Sequence, residues 1–418
     1  MSLVLLAPPL ARAGNDDGIL IGNDGAMCGG AVSAVVHDGT ATWYNPAGLA
    51  SIDRNAVDVS ASAFQVRAAS EPGLISSTTG EENDGGYLEL VSIPSAVTIA
   101  RRIDSRVALA LGLFAPQVSQ HTTRTRLDAF AGANVARWTL TSAENRVTYH
   151  AGGGIGFRIS DQLRIGVSFF AVYRELYDAF QTAGRFDLGN DSTRLLARGG
   201  ITQVRSLGAE IGAGVQWEPH PGVIIALTAR TPGLELITQV RTTSVTIDAT
   251  ISDRVPDDVS FLPTDGEAIA PGFAVLTPAR FNLALGWRFS RGWITGELDV
   301  QHPLTFGDVV DRRLVWNVRV GARYDLDDRV GLGAGLFTDQ SAAAPIAELG
   351  QTHVDFYGLT LGLEYRTPHR LGEGEGAQTL VFSTTVSLRY AYGVGQVGGL
   401  RFDPDAGTQR DTVSVPTD

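Results

Sequence analysis

The sequence predicts an all-β fold, an antiparallel transmembrane β-barrel, and three observations indicate that class. Large apolar side chains alternate with small or polar ones along many segments of about ten residues, which is the period of two expected of strands. The apolar face of these segments often begins or ends in Trp, Tyr or Phe, as in the aromatic girdles at the two interfaces of a membrane. Short turns alternate along the chain with long polar segments, which is the arrangement of an outer-membrane barrel.

The segment 314–324 illustrates the alternation. Its even positions include Trp316 and Val318 on one face, and its odd positions include Arg319 and Arg323 on the other. A soluble sandwich would carry Lys and Glu on its solvated face, whereas here the second face carries Gly, Ser, Thr and scattered charges. The chemistry of the two faces therefore favours a lipid-facing side and a lumen. The charges expected in the lumen are Glu297, Arg319, Arg323, Glu364 and Arg389.

Two rows of glycine lie on the predicted lumen face. Glycine weakens an ordinary strand, so such rows are easier to explain where something packs closely against the sheet. A barrel whose lumen holds a plug supplies that reason. The rows are Gly152, Gly154 and Gly156 and, further along, Gly331, Gly333 and Gly335.

About thirteen strands are recognisable, whereas bacterial single-chain barrels normally have an even number. We therefore expect about 14 strands, either because one is hidden in a predicted loop or because the chain stops before its last strand, and we favour the second reason. The barrel would cover 56–399, and 400–418 would be a polar tail or an incomplete last hairpin. The recognisable strands lie near 56–67, 91–104, 105–118, 145–159, 162–177, 204–218, 221–231, 278–290, 292–302, 314–325, 328–339, 352–367 and 378–397. The long segments predicted to be extracellular loops lie near 68–92, 118–144, 178–202, 231–276, 302–313 and 338–351.

The N-terminus resembles an export signal. An apolar run over 3–10 is followed by Ala11-Arg12-Ala13, which matches the small-x-small pattern of a signal-peptidase site. Because the first two residues carry no positive charge, the signal over 1–13 looks clipped. We expect the following chain to be exported, and 14–55, which is rich in small residues without a sustained period, to form the plug.

The composition argues against several classes of function. The 418 residues carry a formal net charge of -12, which argues against a nucleic-acid partner because neutralising phosphate needs clustered Lys and Arg. The single cysteine, Cys28, permits neither an intrachain disulfide nor a thiolate metal site. The 7 histidines are scattered, and the sequence has no Gly-x-Ser-x-Gly motif and no metal-ligand spacing. We therefore expect no catalytic residues, no metal and no cofactor.

The string from Asp38 to Ala50, Asp-Gly-Thr-Ala-Thr-Trp-Tyr-Asn-Pro-Ala-Gly-Leu-Ala, is the most specific motif in the chain. The Asn-Pro-Ala-Gly part alone would also fit a turn, because Pro fixes φ and Asn accepts turn conformations. The longer string, after an exported start and before a barrel, resembles the FadL-like family of outer-membrane transporters for fatty acids and aromatic hydrocarbons. Ile93-Pro94-Ser95 and Thr277-Pro278-Ala279, each leading into a strand, are also similar to that family.

The resemblance implies a 14-stranded barrel in the bacterial outer membrane whose lumen is closed by an N-terminal hatch. Asn45, Pro46 and Ala47 would belong to that hatch. A hydrophobic substrate would dock between extracellular loops, move into the lumen and leave sideways into the membrane, at a kink in the strand near 105–118 that contains Pro116. The predicted substrate-binding residues are Phe180, Phe186, Leu188, Phe261, Leu262 and Phe273. The partners implied are hydrophobic small molecules and the surrounding lipid and lipopolysaccharide, and a hatch-closed monomer needs no second subunit.

Three alternatives stay open at this point, and one of them, a purely structural barrel, does not differ from a transporter in its sequence. A porin for small polar solutes would have a constriction loop and no structured plug. An outer-membrane barrel lipase would need a hydrolytic pair, for which His150 and Ser168 on neighbouring strands are the candidates. The lumen charges either contact a carboxylate head group or form salt bridges that fasten the hatch, and we favour the second role.

Overall fold

The protein is described here by a computed structural model. The described residues are 18–53, 55–187, 192–252, 255–270, 274–306, 310–343, 352–371, 378–404 and 408–417. The N-terminal segment, residues 18–53, contains two short helices, α1 (Asn23–Met27) and α2 (Ala41–Tyr44), followed by a 3₁₀ helix (Pro46–Ser51). No helix in the described part of the chain is long and apolar enough to cross a membrane.

Strands joined by turns and short irregular segments make up the rest of the described chain. In order they are β1 (Ala56–Ser77), β2 (Glu82–Arg102), β3 (Val107–Ala131), β4 (Asn134–Arg158), β5 (Leu163–Asp187), β6 (Thr193–His220), β7 (Val223–Arg230), β8 (Gly233–Ser252), β9 (Val255–Ala270), β10 (Ala274–Thr277), β11 (Arg280–Phe289), β12 (Gly292–Gln301), β13 (Leu304–Phe306), β14 (Val310–Arg312), β15 (Val315–Asp325), β16 (Val330–Asp339), β17 (Thr352–Leu371), β18 (Gln378–Asp403) and β19 (Thr408–Thr417). Among these residues, 17 strands form one sheet, and β13 and β14 form a separate hairpin.

The sheet follows the antiparallel order that the sequence predicts. The recognisable strands correspond to β1–β7, β11, β12 and β15–β18, and neighbours along this series pair antiparallel, with β7 joined to β11 and β12 to β15. β19 is an additional strand that runs antiparallel along the end of β18. The first and last members of the series meet in a short parallel contact, Ile75–Ser77 with Leu400–Phe402. The fold is therefore the predicted antiparallel β-barrel.

Four of the long segments predicted to be loops, 68–92, 118–144, 178–202 and 231–276, are wrong as loops, because most of their described residues extend the strands. The segment 302–313 contains the separate hairpin of β13 and β14, and most of 338–351 lies outside the described residues. β3 and β4 continue as one hairpin up to the pairing of Ala131 with Asn134, and Gly132 turns the chain with a φ of 60°. β5 and β6 likewise pair up to Asp187 and Thr193. Polar residues at alternate positions fit a strand in water as well as a loop, so the sequence pattern does not separate the two.

The two faces of the sheet reverse the pattern of a soluble protein, because apolar side chains are exposed on the outer face and polar side chains are buried on the inner face. Trp316 and Leu285 on the outer face are 54% and 58% exposed, whereas Asn317 and Arg319 on the inner face are buried. Large apolar side chains project outward in the same way from β11, β12, β15, β17 and β18. A continuous exposed apolar surface is stable only when lipid or another apolar medium covers it, which is what a transmembrane barrel requires.

Candidate functional site

The N-terminal segment lies inside the sheet. Its buried residues Met27, Cys28, Val35 and Leu49 belong to one apolar cluster with inward-facing residues of the wall. The wall residues of this cluster come from strands far apart in the sheet and are Ala100, Ala108, Ala110, Ile224, Ala226, Ala284 and Trp293. A segment that contacts so many strands from within occupies the lumen.

Four glycines of the two rows, Gly154, Gly156, Gly333 and Gly335, are confirmed as places where the N-terminal segment approaches closely, whereas Gly152 and Gly331 face other residues of the wall. A Cβ at Gly156 would lie 2.6 Å from the backbone nitrogen of Ala50, and one at Gly335 would lie 2.2 Å from the carbonyl carbon of Cys28. Gly333 faces Met27 in the same way. Any larger side chain at these positions would push the segment off the wall.

Asn45 joins the N-terminal segment to the wall. Its Oδ1 accepts a hydrogen bond of 3.1 Å from the amide of Ala47, which caps the 3₁₀ helix, and Pro46 occupies the first position of that helix. Its Nδ2 donates to the carbonyl oxygens of Ser33 at 3.1 Å and of Val215 in β6 at 3.2 Å. The Asn-Pro-Ala motif is therefore a buried helix cap rather than an exposed turn.

The wall residues that face the Asn45 motif are glycines. A Cβ at Gly214 would lie 2.0 Å from Asn45 Oδ1, and one at Gly166 would lie 2.3 Å from the carbonyl of Pro46. Both strands therefore leave space for the motif to contact their backbones.

Polar side chains of the wall bind the backbone of the N-terminal segment from several directions. Gln216 donates from Nε2 to the carbonyl of Ser33 at 3.1 Å, and Thr360 donates to that of Met27 at 2.7 Å. Arg288 donates to the carbonyl of Val35 at 2.9 Å. These groups satisfy peptide oxygens that would otherwise be buried without partners.

The lumen charges take part in the same fastening. Ser33 donates its amide and its hydroxyl to the carboxylate of Glu297, the hydroxyl at 3.1 Å. Arg323 pairs with both Asp24 and Glu364. Arg389 donates to the carbonyl of Gly18 at 2.6 Å, and Arg319 lies against Gly30. Of the two roles considered for these charges, fastening is the one that their contacts support.

Trp43 is a residue that sequence reasoning missed. Its ring contacts Phe114, His150 and Phe170 at centroid distances of 5.6, 5.0 and 5.9 Å. The guanidinium of Arg230 lies 4.1 Å from the ring centroid and donates to the Trp43 carbonyl at 2.6 Å. The only available signal was an aromatic residue two positions before Asn45.

A charged cluster surrounds this aromatic contact. Glu210 is bound by Arg174 at 3.0 Å and by His150 at 3.3 Å, and Arg174 also pairs with Glu235 at 2.9 Å. Two cavities adjoin here, and both are lined by Trp43, Arg230 and Arg280. The lumen beside the N-terminal segment is thus a mixed aromatic and charged environment.

The wall itself is irregular between β2 and β3. In the described chain their backbone ladder covers only Ala96–Arg102 against Ala108–Phe114. The register of β3 against β4 shifts between Phe114 and Gln117, around Pro116, which also lines one of the two cavities. We use the name seam for the region between the part of β2 before Ala96 and the part of β3 after Phe114, where the described ladder does not join the two strands. Pro116, which the family resemblance associates with a kink, lies at the start of the β3 part of the seam.

The predicted substrate-binding residues are only partly described. Phe180 lies on β5 against Gly200, and Phe186 is buried on the same strand. Phe186 contacts Trp138 and Phe402 at centroid distances of 5.5 and 6.5 Å. Phe261 and Leu262 belong to β9, and their side chains, like Leu188 and Phe273, lie outside the described residues. Their role in binding stays a prediction.

The candidate hydrolytic pair is not assembled. His150 binds Glu210 and contacts Trp43 and Phe170, and its register partner on β5 is Val172 rather than Ser168. No group of three or more His, Cys, Asp or Glu residues within the described ranges could hold a metal ion.

Comparison with known proteins identifies the fold. No protein-family model and no curated protein matches the sequence. Among solved structures, the chain is similar to a Pseudomonas aeruginosa FadL homologue, with a TM-score of 0.55 and 12% identity over 97% of this chain and 98% of that one. It is also similar to the P. putida toluene transporter TodX, with a TM-score of 0.52 and 14% identity over 90% and 99% of the two chains. The monoaromatic hydrocarbon channel CymD gives a TM-score of 0.51 and 13% identity over 95% and 94%. At these identities the likeness concerns architecture, and the chain has the β-barrel fold of the FadL homologue and of the hydrocarbon channels.

Proposed function

We propose that this chain is an outer-membrane channel for the uptake of hydrophobic compounds, long-chain fatty acids or aromatic hydrocarbons. The N-terminal segment would act as a hatch that closes the lumen. The substrate would enter from the extracellular side and leave sideways through the wall into the membrane. The solved proteins with this fold include a toluene transporter and a monoaromatic hydrocarbon channel, which agrees with such a substrate.

The observation that carries the proposal is the seating of the N-terminal segment inside a wall with an apolar exterior. The segment is fastened by Gln216, Glu297, Arg323 and Thr360, which come from four different strands. A lumen filled in this way would not leave an open aqueous path. A hydrophobic solute that reaches it gains free energy by leaving toward lipid, at about 0.8 kcal/mol for each buried CH₂.

Lateral release is supported by the chemistry on the two sides of the seam. On the inside, Pro116 and Gln117 line a cavity beside Trp43. On the outside, Leu88 and Leu90 are 76% and 66% exposed. A path between them would connect the lumen with the lipid without returning the solute to water.

A porin for polar solutes is the second candidate, and deletion of the hatch separates the two. Removal of 14–55 is expected to raise ion conductance in planar bilayers while the barrel stays folded. Unchanged conductance of a folded deletion variant would contradict the hatch.

Uptake by cells that lack their own hydrophobic-compound transporter tests the function directly. Saturable uptake of a radiolabelled long-chain fatty acid or of toluene, without uptake of a small sugar, is the expected result. Sugar uptake alone would make the protein a porin. If a correctly inserted protein takes up none of these compounds, the result would favour an enzymatic or a purely structural barrel.

A further inference from the structure

The seam between β2 and β3 is bridged by side chains. The amide of Gln120 in β3 donates to the carboxylate of Glu89 in β2. The rings of Tyr87 and His121 stack across the same gap with centroids 4.0 Å apart. Hydrogen bonds between neighbouring backbones, which hold the rest of the wall, are replaced here by individual contacts.

Arg67 crosses the seam from the next strand. It lies in β1, beside Glu89 at 3.5 Å, and its Nη1 donates to the carbonyl of Val118 in β3 at 3.0 Å. The Arg67 side chain therefore reaches past β2, binds the carboxylate of Glu89 and ends at the backbone of β3. Glu89 is buried, so its negative charge depends on this guanidinium and on the amide of Gln120.

The backbone oxygens on this edge of β3 are occupied by groups other than β2. Pro116 accepts from the amide of Ile19 at 2.9 Å, and Val118 accepts from Arg67. Ile19 also packs against Val118, and Gly18 lies next to Arg67. The start of the N-terminal segment and the Arg67 side chain therefore cover the seam from the lumen side.

We propose that Arg67 and Glu89 form a latch that holds the seam closed, and that substrate leaves the lumen when this latch opens. The proposal rests on the lateral release described above and assigns its control to two named residues. The reason is the kind of bond involved. A ladder of many backbone hydrogen bonds breaks as a unit, whereas one guanidinium and one carboxylate can exchange partners without unfolding a strand.

The test measures the seam and the transport separately. Nitroxide labels on Leu88→Cys and Thr122→Cys, two exposed positions on opposite sides of the seam, report its width by dipolar broadening of the spectrum. The native cysteine, Cys28, is buried in the core of the N-terminal segment. Toluene and fatty-acid uptake are measured for the same variants without labels.

Arg67→Gln is expected to reduce the broadening and to raise the initial uptake rate by at least about tenfold, which is the effect of one lost hydrogen bond to a charged group. Glu89→Gln keeps an oxygen for Gln120 and is expected to have a smaller effect of the same sign. Arg164→Gln is the matched control, because Arg164 is a buried arginine of β5 that pairs with Glu218 of β6 at 3.1 Å, across a continuous ladder between two strands that do not border the seam.

The outcomes separate the latch from the transport function. Unchanged broadening in a folded Arg67→Gln variant overturns the latch, whatever the uptake. A wider seam with unchanged uptake confirms the latch and instead contradicts lateral release as the exit path. An equal change in Arg164→Gln would mean that loss of any inward-facing charge loosens the barrel, which also overturns the latch.

Discussion

The N-terminal segment is held in two different ways against two parts of the barrel wall, which are separated by β18. Against β15–β17, the ladders are continuous, and the segment is bound to inward side chains such as Arg323 and Thr360. Against β1–β3, the ladder of the wall is interrupted, and the segment supplies a missing partner through the amide of Ile19. On the first side the segment is attached to a finished wall, and on the second it is part of the wall.

This difference indicates which part of the barrel a single substitution can open. Where a ladder is intact, removing one side chain detaches the segment locally but leaves the wall closed. At the seam, each bond belongs to a different side chain, so one substitution changes the wall itself. Stability and gating are therefore expected to depend on different sides of the same lumen.

The largest loss of stability is expected from Arg323→Leu, on the side of the intact ladders. Asp24 forms an ion pair with Arg323, and Glu364 would retain Arg366 at 3.2 Å. Removing one member of a largely buried charge pair leaves the other uncompensated, at a cost of about 3 kcal/mol. Denaturant titration in lipid vesicles measures this free energy of unfolding.

The double variant Arg323→Leu, Asp24→Leu is the control for that prediction. It removes both charges, so it is expected to recover a large part of the lost stability. If it is as unstable as the single variant, the effect comes from lost packing and the ion pair does not fasten the segment.

A smaller loss, about 2 kcal/mol, is expected from Gly335→Val. A Cβ at this position would meet the backbone of Cys28 at 2.2 Å, and backbone moves less easily than a side-chain end. Gly296→Val is the matched control, because a Cβ on that glycine of β12 has nothing within 4 Å. Valine favours strands, so equal destabilisation of both variants would contradict close approach as the reason for the glycine row.

Much of this side of the molecule could be predicted from the sequence. The alternation along the strand predicts that Trp316 faces outward and Arg319 faces inward, and the glycine rows indicate that something lies against the sheet. These are local consequences of the pleat and of steric exclusion, so a single strand contains the information. The Asn-Pro-Ala motif was assigned to the hatch by resemblance, and its contact with Val215 came only from the structure.

The seam could not be predicted in the same way. The pattern of a strand says which face each residue occupies, but not whether its backbone bonds the neighbouring strand. The reach of Arg67 past β2 to Val118 depends on the register of three strands. The buried contacts of Trp43 likewise depend on the seating of the whole segment, and strands that extend into water look like polar loops.

A loss of about 1.5 kcal/mol is expected from Asn45→Ala, which removes the helix cap and the bonds to Ser33 and Val215. The effect should appear as increased ion conductance as well as reduced stability, because this residue ties the segment to β6. Asn45→Asp keeps the acceptor for Ala47 but loses the two donors, so it separates the cap from the bond to the wall. Conductance equal to wild type in Asn45→Ala would contradict this anchoring role.

The smallest effect on stability is expected at two turns in which an aspartate makes the same hydrogen bonds. Asp104 lies in the turn that joins β2 and β3, and Asp327 lies in the turn that joins β15 and β16. Each carboxylate accepts two backbone N–H bonds, Asp104 from Arg106 and Val107, and these bonds lower the pKa of both groups. The folded pKa lies below the unfolded value, which is near 3.9. The turn is therefore fully stabilised above that value and loses this stabilisation as the pH falls through the lowered pKa.

Amide hydrogen exchange in Asp104→Asn and Asp327→Asn compares the two turns. Each substitution is expected to increase exchange in its own turn and to remove the acid dependence, because the charged acceptor is gone. After Asp327→Asn the increase should stay in the turn, since the ladder between β15 and β16 extends from the turn along most of both strands. After Asp104→Asn it should spread along β2 and β3, whose ladder is already free at its upper end beyond Ala96. Equal spreading in both variants would mean that the interrupted ladder does not weaken this side of the wall.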